Sequence, residues 1–412
     1  MGARTAEADV IVVGAGPAGS ATATHLAKAG LSVLLVEKSR FPREKVCGDG
    51  LTPRTMAELT RLGVDLKSLA WKRNRGLRIH VLGRVYHMEW PDLVEFPGFG
   101  MTLRRSLFDQ FLVEQAMGAG VRFVDGTTVV APRLTRGWVA GVVTKNGEAF
   151  EAPVVVSADG SSSRLAVAMG IHRNTKRPLG LAVRTYYRSP MADDEWIDSM
   201  LELRDGTQLL HGYAWSFPMG DGTCNVGVGL PNSSRGGLGV RELMTRWIRS
   251  TPPRWGFNDE SQTEPLKSAA LPMGFNRRPV YHRGLLLVGD AAGMISPFTG
   301  EGISYAMESG RYAAEHILQA HSRGIHTTSA QKVLTSYGDR LREQWGGYFR
   351  LGLIFAQIIA HPSVMRAACH YGLPIPAVRM LTHRTLAHLG SSIPQDGYDR
   401  VVHLMSKVMP KA

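Results

Sequence analysis

Three separated groups of residues in this chain have the types and spacing for work on a bound nucleotide. The first is Gly14-Ala15-Gly16-Pro17-Ala18-Gly19, followed 18 residues later by Glu37. Glycines so spaced allow a tight turn, approach of the backbone to a pyrophosphate, and close packing of the next helix. A carboxylate at Glu37 can accept from ribose hydroxyls. The second group is Asp159-Gly160, with Ser161, Ser163 and Arg164 after it. The third is Gly289-Asp290-Ala291-Ala292-Gly293, then Pro297 and Gly300-Glu301-Gly302. A carboxylate beside free N–H groups at a helix start suits one end of a long ligand. Two such turns far apart in the chain imply one extended cofactor held at both ends.

Each group sits at the end of an apolar run of strand length: residues 10–13, 32–36, 154–156 and 285–288. Helical patterns follow over 18–29 and from Ile303 onward. This order predicts an α/β fold with a discontinuous Rossmann-type domain made of residues 1–70, 99–176 and 275–325. Between these pieces, 77–82, 85–90, 181–187 and 223–229 alternate apolar and polar residues. They predict an inserted antiparallel-sheet domain, 71–98 and 177–274, laid over one face of the cofactor. Residues 326–412 read as a C-terminal helical region broken at Pro362, Pro374, Pro376 and Pro394.

Two further segments bear on the reaction. In Phe41-Pro-Arg-Glu-Lys45-Val-Cys47-Gly48-Asp49-Gly50, the Cys47 thiol can donate a proton or pack on a cofactor ring. Lys45 would lower its pKa if close enough. A buried, inert cysteine is the other reading. In Tyr213-Ala-Trp215-Ser-Phe217-Pro218, followed by Gly227 and Gly229, strand alternation sends three aromatic rings to one side. They form either an apolar wall whose faces tolerate nearby positive charge or the core of the second sheet. Glu301 is a second candidate for proton handling. Cys224 and Cys369 read as core residues, and no metal-ligand spacing occurs among the histidines and cysteines.

The fingerprint, Arg105 in Arg-Ser-Leu-Phe-Asp, Asp159-Gly160 and Gly289-Asp290 together resemble the group-A flavoprotein fold of p-hydroxybenzoate hydroxylase and its relatives. That resemblance implies FAD. It places Asp290 on the ribityl chain, Arg105 by the flavin and pyrophosphate, and Asp159-Gly160 at a second point along the dinucleotide. Gly300, Gly302 and Ile303 would fall at the isoalloxazine, where a helix start stabilises negative charge on the reduced ring. The expected cofactor contacts are Gly14, Gly16, Pro17, Ala18, Gly19, Glu37, Lys38, Cys47, Gly48, Asp49, Gly50, Arg105, Val129, Asp159, Gly160, Asp290, Gly300, Gly302 and Ile303.

Lys45-Val-Cys47-Gly48 and the Tyr213–Pro218 segment resemble the geranylgeranyl reductase family, whose members saturate isoprenoid double bonds with reduced FAD. The resemblance covers about residues 8–320. It implies catalytic roles for Cys47, Trp215 and Tyr213, and lipid contacts for Tyr213, Trp215 and Phe217. With its basic helical tail the chain looks most like the actinobacterial members that reduce one isoprene unit of the menaquinone side chain. Geranylgeranyl diphosphate and digeranylgeranylglycerophospholipid are alternative substrates within the family. A monooxygenase on the same fold and a non-catalytic prenyl-binding protein are alternatives outside it. An isolated alkene is not electrophilic, so its reduction needs a dry apolar channel, a proton donor, and walls that tolerate developing positive charge. No second dinucleotide fingerprint is present, so the electron donor is expected to be transiently bound NAD(P)H or a redox partner protein.

At 412 residues, 44% hydrophobic, with 46 glycines, the chain can bury a large core with many tight turns. Three well-separated cysteines make a disulfide framework an unsuitable reading. The charge of +13 suits nucleic acid, a membrane surface or an acidic partner. No zinc finger, helix-turn-helix or RNP-like motif occurs, so no nucleic-acid partner is expected. From residue 331 onward there are ten Lys/Arg against four Asp/Glu, around the apolar run 351–360. That run covers roughly half of a bilayer crossing. Such a helix either lies on an anionic membrane or packs on the body of the protein. The first apolar run is the fingerprint strand itself, so no secretory signal is expected. The expectation is a cytoplasmic protein, peripheral on the inner face of the cell membrane.

Overall fold

The computed structural model describes residues 7–205, 208–231, 239–390 and 396–408. The apolar runs pair into a six-stranded sheet in the order Tyr281–His282, Leu285–Leu287, Val154–Ser157, Val10–Val13, Val33–Val36, Arg122–Val124. All neighbours are parallel except the first pair. Val10–Val13, Val33–Val36 and Val154–Ser157 are buried at every position. A parallel sheet covered on both faces demands continuous apolar runs of this kind. The register sets Val13 beside Val36 and Ser157, so Gly14, Glu37 and Asp159 emerge together at the carboxyl edge. Leu287 pairs with Ser157, which brings Gly289 and Asp290 to the same edge. Ligands of open α/β sheets bind there.

The helices, in chain order, are α1 (Pro17–Lys28), α2 (Pro53–Arg61), α3 (Arg105–Gly118), α4 (Arg164–Ala168), α5 (Val240–Arg249), α6 (Ile303–Ser322), α7 (Thr328–Ile359), α8 (Pro362–Ala367), α9 (Pro376–Leu386) and α10 (Gly397–Val408). Helix α1 is built from small residues and packs against α3 and α6. The approach to α6 is backbone to backbone. A Cβ added at Gly310 would stand 2.6 Å from both the Ala18 carbonyl oxygen and Thr22 Oγ1. The glycine turns that start α1 and precede α6 are thereby held in one rigid unit.

The second sheet has seven strands in the order Lys267–Pro272, Leu179–Arg188, Thr223–Pro231, Tyr213–Pro218, Trp196–Met200, Gly76–Val81, Arg84–Glu89. It is antiparallel apart from one pair, Trp196–Met200 beside Gly76–Val81, which runs parallel. Val183, Ala214, Val226 and Val228 face outward onto Leu243, Met244 and Ile248 of α5. The alternate residues face the six-stranded sheet. A three-stranded sheet, Val129–Thr135, Trp138–Thr144 and Ala149–Glu151, was not anticipated from the sequence. Pro132 masks its first strand, which lies at an edge where a missing N–H is tolerated.

In α7 the buried residues Ala330, Val333, Leu334, Tyr337, Leu341, Trp345 and Phe349 recur at helical spacing and join the main core. Pro362 and Pro376 each open a new helix, as the missing N–H favours. Pro394 lies outside the described residues. Gly310→Ala should force α1 and α6 apart and cost about 1–3 kcal/mol, measured by denaturant unfolding, with weakened flavin retention. Gly118→Ala, at an exposed helical site with nothing near the new Cβ, should leave stability unchanged or slightly higher.

Candidate functional site

One continuous cavity runs from the carboxyl edge of the six-stranded sheet to the inner face of the seven-stranded sheet. Gly14, Gly16, Pro17, Ala18, Glu37 and Lys38 line its first end, with Val129, Asp159 and Gly160 beside them. Arg43 and Arg105 follow, then Asp290, Gly300, Gly302 and Ile303. Cys47, Gly48, Tyr213, Trp215 and Phe217 close the far end with His211, Leu271 and Phe298. Helices α1 and α6 both begin at the wall after an uncapped glycine, Gly16 and Gly302. Their first-turn N–H groups are left for an anionic occupant.

The two outer glycines of the fingerprint are required by the backbone. A Cβ at Gly14 (φ +102°) would stand 2.3 Å from the Ala158 carbonyl oxygen, and one at Gly19 would stand 1.8 Å from that of Gly14. Gly16 is different. Its Cβ would project toward Arg43 Nη2 at 3.6 Å and Arg105 Nη2 at 3.9 Å, into the space a phosphate needs. Glu37 is buried, and its carboxylate accepts the Ala15 N–H at 2.9 Å and the Ser39 N–H at 3.1 Å.

A residue that sequence reasoning passed over organises the arginines. Asp109, fully buried, accepts from Arg105 Nε and Nη2 at 2.7 and 2.8 Å and pairs with Arg43 Nη1 at 2.9 Å. One carboxylate thus holds two guanidinium groups side by side next to Gly16, and Arg43 Nε also lies 3.5 Å from the Glu37 carboxylate. The signal lay in the i,i+4 spacing of Arg105 and Asp109 on α3.

Other expected contacts are placed differently. The Asp159 carboxylate is engaged by the Ser157 hydroxyl at 2.5 Å and the Arg164 N–H at 2.8 Å, so it shapes the loop into α4 as well as lining the cavity. Gly19, Asp49 and Gly50 do not line the cavity. Gly19 serves helix packing. Gly50 and Gly48 lie under the Phe217 ring, whose carbons would be 3.1 and 3.2 Å from an added Cβ. Lys45 is drawn to Asp290, at 3.8 Å. The cation beside the Cys47 thiol is Arg105 instead.

At the far end, Tyr213, Trp215 and Phe217 share one face, with ring centroids 5.9 and 6.3 Å apart. Trp215 stands opposite Gly227, where a Cβ would fall 2.3 Å from its ring. Gly227 is therefore the recess that lets the indole lie against the sheet. Tyr213 donates its hydroxyl to the Thr299 carbonyl at 2.7 Å. The second overlooked residue is Asn225, fully buried. Its Oδ1 accepts from Trp215 Nε1 at 2.9 Å, and its Nδ2 donates to the Cys47 carbonyl at 2.9 Å and to Asp49 at 2.8 Å.

Asp49 adopts φ +63° and also accepts the Arg105 N–H at 3.1 Å and the Tyr186 hydroxyl at 2.5 Å. Arg104 and Arg184 lie 3.9 and 4.5 Å from the Tyr186 ring centre. Burial pushes the Asp49 carboxyl up, against the pull of its hydrogen bonds from Tyr186 and Asn225. Burial likewise pushes the Cys47 thiol up, with Arg105 opposing. The Tyr213 phenol is pushed up to about 12, chiefly by burial. Both Cys47 and Tyr213 therefore keep their protons at neutral pH. Glu301 is also raised by burial, but its carboxylate is turned away from the cavity onto Thr52 and Ser304, each at 2.7 Å. Cys224 and Cys369 are buried, and no group of metal-binding side chains exists among the described residues.

The sequence family described as an FAD binding domain matches residues 7–343. A menaquinone reductase of Mycobacterium tuberculosis (strain ATCC 25618 / H37Rv) is 34% identical over 399 residues, spanning 96% of this chain and 94% of that protein. Digeranylgeranylglycerophospholipid reductase 1 of Methanococcoides burtonii is 30% identical over 351 residues, 84% of this chain and 82% of that one. A solved geranylgeranyl bacteriochlorophyll reductase-like protein from Thermoplasma acidophilum shares the fold, with a TM-score of 0.74 at 24% identity over 97% of this chain and 91% of that one. The glycine floor, the paired arginines and the two uncapped helix starts fit FAD, the cofactor of this group. The chain belongs to the FAD-binding domain family and, within it, to the geranylgeranyl reductase family of FAD-dependent oxidoreductases.

Proposed function

We propose that this protein saturates one carbon–carbon double bond in the side chain of a prenylquinone, and that the bond lies in one isoprene unit of menaquinone. The observation that carries this reading is the far end of the cavity. An aromatic wall and two protonated groups, Cys47 and Tyr213, close the same space that the cofactor cradle opens into. The names of the full-length relatives support the substrate class.

When bound and reduced, FAD would supply a hydride. The protein does the rest. Trp215, Phe217 and Leu271 exclude water, and the aromatic faces stabilise positive charge as it develops on the tertiary carbon. Cys47 holds the proton at Sγ and delivers it to the less substituted carbon, so that the two hydrogens add across the double bond. Arg105 then stabilises the thiolate until water returns the proton. Tyr213, fixed to Thr299, keeps its ring in the wall. The reductant is NAD(P)H bound transiently or a partner protein.

Deleting the gene and weighing the lipids tests the reading. Menaquinone should appear two hydrogens lighter than in the parent strain. Unchanged quinones with altered ether lipids would move the substrate to another prenyl lipid, and a hydroxylated product from the purified protein in air would make it a monooxygenase. Cys47→Ser should retain FAD yet lose about 100-fold or more in kcat; full activity would remove the thiol from the chemistry. Because burial raises the thiol above its ordinary 9.0, its proton is present through neutral pH. Activity should therefore fall only as pH rises beyond that value, and the serine variant should lack this alkaline limb. Asn225→Ala should strand the Trp215 N–H and lose about 1–3 kcal/mol of stability. KM for the lipid should rise while FAD stays bound.

A further inference from the structure

Beyond Phe349, helix α7 loses its cover. Leu351, Leu353, Ile354 and Phe355 are half-buried, and Ile358 is exposed. The arm that follows, Pro362–Gly372, is bent 97° from α7, and among the described residues no single helix is long and apolar enough to cross a membrane. The arm is nevertheless fixed in place. Met365, Cys369 and Leu373, four residues apart, pack on Ile79, Val81 and Met88 of the seven-stranded sheet. Its outer side presents Val364, Tyr371, Ile375 and Val378, between 39% and 71% exposed. This is a contiguous stretch of chain, unlike the scattered apolar residues that ordinary surfaces carry.

Within the segment that forms this elbow, charge has one sign. Between Glu343 and Asp396 the sequence holds four arginines and no aspartate or glutamate. Arg350 and Arg366 are exposed. Such a face suits an anionic partner and repels a second copy of itself. The elbow also adjoins the cavity. A Cβ at Gly352 would lie 2.7 Å from Pro297 and 2.8 Å from the Phe298 ring, both of which line the cavity. Phe355 packs against Phe298 with ring centroids 5.4 Å apart and the planes inclined at 43°. Ile358 is three residues further on, about one helical turn from that wall.

We propose that the elbow formed by the end of α7, α8 and the start of α9 docks the protein on an anionic lipid surface. Its outer apolar residues enter the acyl boundary, and Arg350 and Arg366 meet the headgroups. The docked position is peripheral, and the apolar line from Ile358 through Phe355 to Phe298 is the route by which a lipid chain reaches the cavity. The route rests on the prenyl-lipid reading above; the docking itself does not.

Flotation of the FAD-loaded protein with vesicles tests the docking. Vesicles of phosphatidylcholine with phosphatidylglycerol should bind about tenfold or more tightly than phosphatidylcholine alone. The double variant Val364→Glu/Tyr371→Glu and the single variant Arg366→Glu should each lose most of that binding. Both should keep the wild-type flavin spectrum and full activity on detergent-dispersed lipid. Trp138→Glu, an exposed aromatic elsewhere on the surface, should bind as wild type. Wild-type binding by the double variant, or equal binding to neutral vesicles, would overturn the proposal. So would a sedimentation profile in which the elbow variants convert a dimer to monomer. Elbow-dependent flotation by a protein that reduces no prenyl lipid would uphold the docking and remove the substrate reading instead.

Discussion

The side-chain amide of Asn225 joins two parts of the chain that lie far apart in sequence, the Cys47–Asp49 loop and the strand pair that carries Trp215. It accepts from the Trp215 indole and donates to the Cys47 carbonyl and the Asp49 carboxylate. No solvent reaches it, so a lost partner would leave a buried polar group unpaired. The separation between the thiol and the aromatic wall is set by this one group. Steric fit reinforces it from both sides: Phe217 rests on Gly48 and Gly50, and Trp215 rests on Gly227. The cysteine loop and the aromatic strand can adopt only one relative position.

At the other end of the cavity the constraint is electrostatic. Two guanidinium groups would repel each other beside Gly16 without the buried Asp109 between them. With it they become a fixed charge-assisted clamp beside the start of α1. Tight packing of α1 on α6 then carries this geometry to the second uncapped helix start. The cradle and the reaction chamber are thus parts of one rigid body. Asp49 links them, since it accepts both the Arg105 N–H and the Asn225 amide.

Much of this arrangement was legible in the sequence, for definite reasons. Gly14 and Gly19 stand where a Cβ would strike a carbonyl oxygen, and such positions leave a mark at fixed local spacing. Tyr213, Trp215 and Phe217 could be read onto one face because strand alternation is local. The sheet that begins at Val129 is hidden in the sequence because Pro132 argues against a strand unless its edge position is known. Lys45 neighbours the thiol in sequence, but spacing along a loop does not fix distance, and Arg105 at the start of α3 is the cation beside it. Asp49 and Gly50, expected beside the cofactor, do not line the cavity: the Asp49 carboxylate is a buried acceptor and Gly50 a seat for an aromatic ring.

The sequence by itself determined the strands and turns of the cofactor cradle, the common side of the three aromatic rings, and the absence of carboxylates from the α7–α9 segment. These follow from backbone clearance, residue alternation and composition, all of which are local or additive. Only the tertiary structure decided which carboxylate pairs the arginines, which amide ties the thiol loop to the aromatic wall, and which apolar residues stay uncovered. A buried donor takes whatever acceptor is nearest in space, and for Asn225 and Asp49 that partner lies 176 residues away along the chain.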